Sequence, residues 1–175
     1  MMINSERKLT TTKDLFKKAI EEKYAIGAFN INNMEIIQAV VEAAEESSSP
    51  VILQVSQSAK KYISNVYLLK MIEAALESSS VPLVLHLDHG KDYEVCKECV
   101  DLGFTSIMID GSKYDFEKNI EITKKVVNYA HNVGVVVEAE LGRLAGVEDE
   151  IIVENNETIY TDPNKALEFI KRTGC

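Results

Sequence analysis

The stretch LVLHLDHG, residues 83–90, ends an apolar run with two imidazoles and a carboxylate, which belong to His86, His89 and Asp88. Imidazole nitrogens and carboxylate oxygens bind divalent metal ions, and they are the groups that most often transfer protons in enzymes. A strand that only fills a core has no need of such an ending. The stretch therefore indicates a functional site at the carboxyl end of a buried strand.

Four other apolar runs end in a polar or ionisable residue. They are AIGAFN, VILQVS, TSIMID and VVVEAE, which end in Asn30, Ser56, Asp110 and Glu140. Together with His89, the two carboxylates form a candidate ligand set of the zinc type. The competing interpretation is that these residues are ordinary strand-end groups and helix N-caps.

Asp88 precedes His89 in the same run. Because successive side chains of a strand point to opposite faces, we expect Asp88 to leave the strand on the side opposite to His89. A carboxylate near a divalent cation, but not bound to it, suits proton transfer to a substrate hydroxyl.

Helical patterns alternate with the apolar runs along the chain. The helical patterns cover residues 13–24, 34–47, 66–79, 92–103, 115–134 and 162–174. Short, nearly all-apolar strands between helices are typical of a parallel α/β sheet that is covered on both faces. A doubly wound sheet gathers only two or three strand ends at its switch point, whereas a (β/α)8 TIM barrel gathers all of them on one face. We therefore predict one domain over residues 1–175, with a leading helix and about the first five β-α units of such a barrel.

Composition excludes several classes of function. The formal net charge of −9 argues against a nucleic-acid partner or an anionic membrane surface. No apolar stretch approaches the roughly 20 residues of a membrane helix, and the amino terminus has no signal-peptide pattern. Cys96 and Cys99 recur at helical spacing on an apolar face, which predicts buried thiols and not a redox pair or zinc site. These features predict a cytoplasmic protein.

Several motifs, in order, resemble the class II (zinc-dependent) fructose-1,6-bisphosphate aldolase family. They are GAFNINNME, ILQVSQSA, HLDHG, GFTSIMIDGS and AHNVGVVVEAELGRLAGVEDE, and the resemblance runs from about residue 9 to 174. It implies a TIM-barrel lyase of glycolysis and gluconeogenesis that cleaves fructose 1,6-bisphosphate between C3 and C4. The closely similar tagatose-1,6-bisphosphate aldolases remain an alternative.

The resemblance implies a role for each matching residue. His89 corresponds to a ligand of the catalytic Zn²⁺, and Asp110 and Glu140 to residues that hold a metal in a more buried position. Asp88 corresponds to the acid/base at the C4 hydroxyl, and Glu148 to the residue that moves the C3 proton. Asn30 and Ser56 match substrate-contacting positions.

The family also places two further zinc histidines, after its sixth and seventh strands, and glycine-rich phosphate-binding segments later still. The three histidines of this sequence do not include them. The resemblance therefore implies part of a longer enzyme, with a piece of a split enzyme or an inactive truncated half-barrel as alternatives. For the longer enzyme it implies a phosphorylated sugar substrate, a homodimer or homotetramer, and Zn²⁺, with a second divalent or monovalent cation as an additional option.

Overall fold

The computed structural model describes the backbone of residues 8–143, 146–148, 151–153 and 160–175, and the side chains of residues 8–143 and 160–175. Its elements, in chain order, are α1 (Thr12–Glu22), β1 (Gly27–Asn30), α2 (Met34–Glu46), β2 (Val51–Val55), α3 (Gln57–Ile63), α4 (Asn65–Ser78), β3 (Leu83–Gly90), α5 (Tyr93–Asp101), β4 (Ser106–Ile109), α6 (Phe116–His131), β5 (Val136–Ala139), β6 (Gly146–Glu148), β7 (Ile151–Val153) and α7 (Pro163–Thr173).

The first five strands form one parallel sheet in the order β1-β2-β3-β4-β5. Consecutive strands are neighbours in the sheet, and helices connect them, as in the repeating unit of a barrel. All five strands therefore end at the same edge of the sheet. The predicted parallel α/β arrangement is confirmed.

Side chains of the sheet alternate between the helix-covered face and the inner face. Leu53, Leu85 and Ile107 point into a core that includes apolar side chains of α2, α4, α5 and α6, and each of the three is fully buried. His86 and Ser106 are register partners on the inner face and are also buried. Burial of both faces explains why the central strands read as continuous apolar runs.

The edges of the sheet differ from its centre. All four residues of β1 are exposed, whereas β2 and β4 are almost entirely buried. Phe29 of β1 remains 51% exposed. An open edge strand presents unpaired backbone groups, and a barrel removes such edges by closure.

Three elements lie outside the predicted pattern. Helix α3 follows β2 after a single residue, and β6 pairs with β7 as a short antiparallel hairpin. Helix α3 is too short for its periodicity to be read from sequence, and the hairpin falls in a polar stretch where no alternation of apolar residues marks a strand.

The thiols of Cys96 and Cys99 are fully buried on α5, which confirms the prediction of buried thiols at these two positions. Burial raises the pKa of Cys99 to about 11, so this thiol stays protonated near neutral pH. Across the residues that the structure describes, none of the helices combines the length and apolar character needed to cross a bilayer.

Glu45, near the end of α2, ties that helix to the segment that leads into β3. Its carboxylate accepts hydrogen bonds from the hydroxyls of Ser79 and Ser80, at 2.8 and 2.7 Å, and from the backbone N–H of Val81 at 2.8 Å. These bonds, led by that of the Ser80 side chain, lower the pKa of Glu45 from 4.5 to about 2.

We expect Glu45→Gln to lower the melting temperature at pH 7, because an amide offers one acceptor oxygen and no charge to these donors. A lowered folded-state pKa stabilises the fold above pH 4.5, and this contribution is lost as the pH falls through about 2. The difference in melting temperature between variant and wild type should therefore shrink on acidification. Glu46→Gln, at an exposed position one residue further along α2, is the matched control. An equal effect of both substitutions would contradict the prediction.

Candidate metal centre

Three ionisable side chains meet at the carboxyl edge of the sheet. His89 lies near the end of β3, Asp110 directly follows β4, and Glu140 directly follows β5. The His89 Nδ1 atom lies 3.4 Å from Asp110 Oδ2 and 3.6 Å from Glu140 Oε2. One ligand atom from each residue lies within 4.8 Å of the other two. The structure thus brings together the three residues that the strand ends predicted.

The backbone of His89 departs from regular strand geometry. Its φ of 47° is left-handed, and the pairing of β3 with β4 shifts register between Leu87 and Gly90. A side chain at Gly90 has no room, because a Cβ there would lie 2.6 Å from the Met108 carbonyl oxygen. The Gln57 side-chain amide donates to the His89 carbonyl at 2.9 Å and holds this bend.

The expectation that Asp88 and His89 point to opposite sides is wrong. Asp88 Oδ1 lies 3.9 Å from His89 Nε2. Strict alternation of side chains requires extended backbone at both residues, and the left-handed His89 breaks it. Asp88 therefore faces the same space as the three clustered groups.

The electrostatics of the cluster favour a shared positive charge. The hydrogen bond with Asp110, opposed by partial burial and aided by the charges of Asp88 and Glu140, raises the pKa of His89 from 6.5 to about 9. Burial disfavours the charge of Asp110, but hydrogen bonds from His89 and Ser112 outweigh it and lower that pKa to about 2. A proton on His89 thus occupies the place that a cation would take among these carboxylates.

Asn30, the last residue of β1, orients Asp88. Its Nδ2 donates to Asp88 Oδ2 at 2.8 Å, and its Oδ1 accepts from Gln54 Nε2 at 3.5 Å. Asn30 does not cap the following helix, because Asn33 accepts from the Ile36 N–H in that position. Ser56 does act as an N-cap: its Oγ accepts from the Ala59 N–H at 3.3 Å.

A small open cavity of about 320 Å³ is lined by both predicted substrate contacts, Asn30 and Ser56, together with Tyr62. Glu148, the other predicted catalytic residue, is the last residue of β6, and its side chain lies outside the described residues.

Comparison with known proteins identifies the family and the fold to which the chain belongs. The family model described as "Fructose-bisphosphate aldolase class-II" matches residues 10–175. The chain belongs to the class-II fructose-bisphosphate aldolase family. A fructose-bisphosphate aldolase from Staphylococcus epidermidis is 46% identical over 95% of this chain, and one from Thermus caldophilus is 49% identical over 95%. The chain spans 58% and 54% of the length of these two relatives.

Solved structures show the same fold. The YdjI aldolase from Escherichia coli K12 superposes with a TM-score of 0.81 at 35% identity, over 95% of this chain and 59% of its own. The fructose-bisphosphate aldolase from Campylobacter jejuni superposes with a TM-score of 0.78 at 26% identity, over 96% and 55%. The five-stranded sheet is thus the corresponding part of an aldolase TIM barrel, which confirms the predicted fold.

The family is metal-dependent, and the donor set of this chain fits a metal. One imidazole and two carboxylates, converging from three strand ends, are ligand types that Zn²⁺ accepts. Their mutual distances suit a common ion, and the depressed pKa of Asp110 keeps that carboxylate charged. Identification of the ion as zinc rests on the family resemblance.

Sequence reasoning missed four supporting residues: Gln54, Gln57, Asn119 and Thr123. Gln54 is the lone amide within the apolar run VILQV, which was a readable signal. Gln57 belongs to the short helix that the pattern did not predict. Asn119 and Thr123 are buried polar residues on the otherwise apolar face of α6. Buried polar side chains need hydrogen-bond partners, so their presence on this face was a signal of a specific contact.

His86 is held differently from His89. It is 5% exposed, and its Nδ1 lies 2.8 Å from the Ser106 hydroxyl. Burial, the largest influence, lowers its pKa to about 4. The pKa values of the two histidines of β3 therefore lie on opposite sides of neutral pH.

We expect this difference to appear in the metal-free protein by ¹H–¹⁵N NMR pH titration. As the pH falls, His86 should stay neutral until about pH 4. As the pH rises, His89 should keep its proton until about pH 9. His86→Gln and His89→Gln assign the two resonances. Titration of both rings near 6.5 would contradict the prediction.

Proposed function

We propose that this chain is the N-terminal portion of a metal-dependent fructose-1,6-bisphosphate aldolase. The enzyme cleaves its substrate to dihydroxyacetone phosphate and glyceraldehyde 3-phosphate and catalyses the reverse condensation. The observation that carries the proposal is the convergence of His89, Asp110 and Glu140 within 4.8 Å, with Asp88 beside them. Family membership supports the reaction class.

We propose that His89, Asp110 and Glu140 are metal ligands and that the ion is Zn²⁺. When bound, Zn²⁺ would act as a Lewis acid toward negative charge that develops on the substrate ketone oxygen. The mixture of one imidazole and two carboxylates supports a borderline ion of this kind. The family resemblance also suggests that a second divalent or monovalent cation binds in addition to Zn²⁺.

Asp88 is the proposed acid/base. The bond from Asn30 to Oδ2 fixes the carboxylate and leaves Oδ1 on the side of His89. In cleavage, Asp88 takes the proton of the C4 hydroxyl, the C4–O bond becomes a carbonyl, and the C3–C4 electron pair stays with the C3 fragment. A fixed carboxylate within reach of that hydroxyl supplies the step without reorganisation.

Glu148 is the proposed second proton donor, because its position in GVEDE matches the family residue that returns a proton to C3. Asn30 and Ser56 are the proposed substrate contacts, and their place on one cavity supports this. The Ser56 hydroxyl accepts the capping bond from the Ala59 N–H and lies 2.9 Å from Ser58 Oγ.

The partial coverage of the relatives supports a longer protein. We propose that residues 1–175 form the N-terminal portion of a single TIM-barrel domain, with a substrate-phosphate site and further metal ligands elsewhere in that protein. A cytoplasmic homodimer or homotetramer is the proposed form, and the unpaired thiols support a reducing compartment.

The test is zinc-dependent cleavage of fructose 1,6-bisphosphate by the full-length protein. We expect activity that is lost on chelation and regained with Zn²⁺, and we expect Asp88→Asn to reduce kcat by about 10²- to 10⁴-fold, as loss of a general acid/base does. Zinc content should stay unchanged in that variant. Asp14→Asn, at an exposed position on α1, is the control and should match wild type.

The alternatives give different results in the same assay. Faster cleavage of tagatose 1,6-bisphosphate would favour the sister activity. A native chain of only 175 residues by intact mass, inactive on both sugars with zinc, would favour an inactive half-barrel.

A further inference from the structure

Asn119 is a buried amide in the first turn of α6. Its side chain lies in the interior, where the residue is 2% exposed. Asparagine is unfavourable inside a helix, and burying its amide is costly unless both polar atoms are satisfied. A residue of this type at this position therefore has a specific polar contact to make.

Asn119 makes that contact with the backbone of a proposed metal ligand. Its Nδ2 donates to the carbonyl oxygen of Glu140 at 2.8 Å. The carbonyl can only accept, so the NH₂ group must face it. The Oδ1 atom accepts from the hydroxyl of Thr123 at 3.1 Å, one turn further along α6 and fully buried. The two bonds fix the orientation of the amide.

The Asn119 amide also packs against the backbone that follows Asp110. A Cβ at Gly111 would lie 2.1 Å from Asn119 Oδ1, so the turn after Asp110 rests directly on it. Within that turn the Ser112 N–H donates to Asp110 Oδ1 at 3.0 Å. One side chain thus meets the ends of both β4 and β5.

We propose that Asn119 is a positioning residue of the metal centre, which sets the separation of the Asp110 and Glu140 carboxylates by holding the ends of β4 and β5 together. The inference rests on the proposed function in taking these two residues as metal ligands. Asn119 itself would contact neither metal nor substrate. Outer residues of this kind orient ligands and strengthen metal binding.

The contrasting possibility is that Asn119 only stabilises the fold. Such a role would lower the melting temperature without changing the metal affinity of the folded protein. The decisive quantity is therefore the Zn²⁺ dissociation constant, measured by competition with a chromophoric chelator in the full-length protein.

Asn119→Leu removes both hydrogen bonds but retains approximate size and adds no charge. We expect Zn²⁺ binding to weaken by about 10- to 100-fold, the range seen for outer-sphere partners. The control is Ser79→Ala, which removes a buried hydroxyl that donates to Glu45. Ser79 precedes β3 and lies at the end of the sheet opposite to the metal centre. It should leave the dissociation constant unchanged.

Thr123→Val covers the case in which the leucine variant does not fold. This milder substitution removes only the bond that orients the amide, and we expect a smaller weakening of Zn²⁺ binding. Thr123→Ser restores the hydroxyl and should restore the affinity. Unchanged Zn²⁺ affinity in folded Asn119→Leu, or in Thr123→Val where that is the variant that folds, would overturn the proposal.

Crystal structures separate this inference from the proposed function. They compare the metal-free wild type with metal-free Asn119→Leu, or with Thr123→Val where the leucine variant does not fold. If the wild type binds no Zn²⁺, the ligand assignment fails, and the carboxylate positions then decide the role of Asn119. Displacement of Asp110 relative to Glu140 in the variant would support positioning, and superimposable carboxylates would overturn it.

Discussion

Two carboxylates that face a single imidazole at the edge of a parallel sheet need a positive charge between them. Asp110 and Glu140 approach the same His89 nitrogen to 3.4 and 3.6 Å, and Asp88 adds a third negative charge on its other side. Removed in part from water, these charges would repel one another unless a cation is shared. The proton on His89 meets this need in the metal-free protein, and the proposed ion would meet it in the enzyme.

The backbone provides the positions that this charge arrangement requires. Parallel strands in sequential order carry three ionisable groups to one edge, but regular strands alone would have turned Asp88 away from His89. The left-handed conformation at His89 brings the two side chains together, and the hydrogen bond from Gln57 to the His89 carbonyl holds it. A non-glycine residue in this conformation is unfavourable locally, and such conformations tend to persist where the surrounding structure fixes them for function.

Much of this arrangement was accessible from sequence because it follows from periodicity. Apolar runs and helical patterns gave the five strands and six of the helices, and a polar residue at each strand end gave the candidate ligands. The side-chain direction of Asp88 was not accessible, because a bend at one residue leaves no periodic signal. The bonds of Gln57 and Asn119 to backbone carbonyls were hidden for another reason: their partners lie 32 and 21 residues away in sequence.

The glycines that follow two of the proposed ligands are fixed by packing and not by chemistry. A Cβ at Gly90 would lie 2.6 Å from the Met108 carbonyl oxygen, and one at Gly111 would lie 2.1 Å from Asn119 Oδ1, so neither position has space for even a methyl group. Substitution at either glycine would be poorly tolerated although neither offers a functional group. Intolerance at HLDHG and MIDGS would therefore report two overlapping constraints, and only side-chain swaps at the ligands themselves would distinguish chemistry from space.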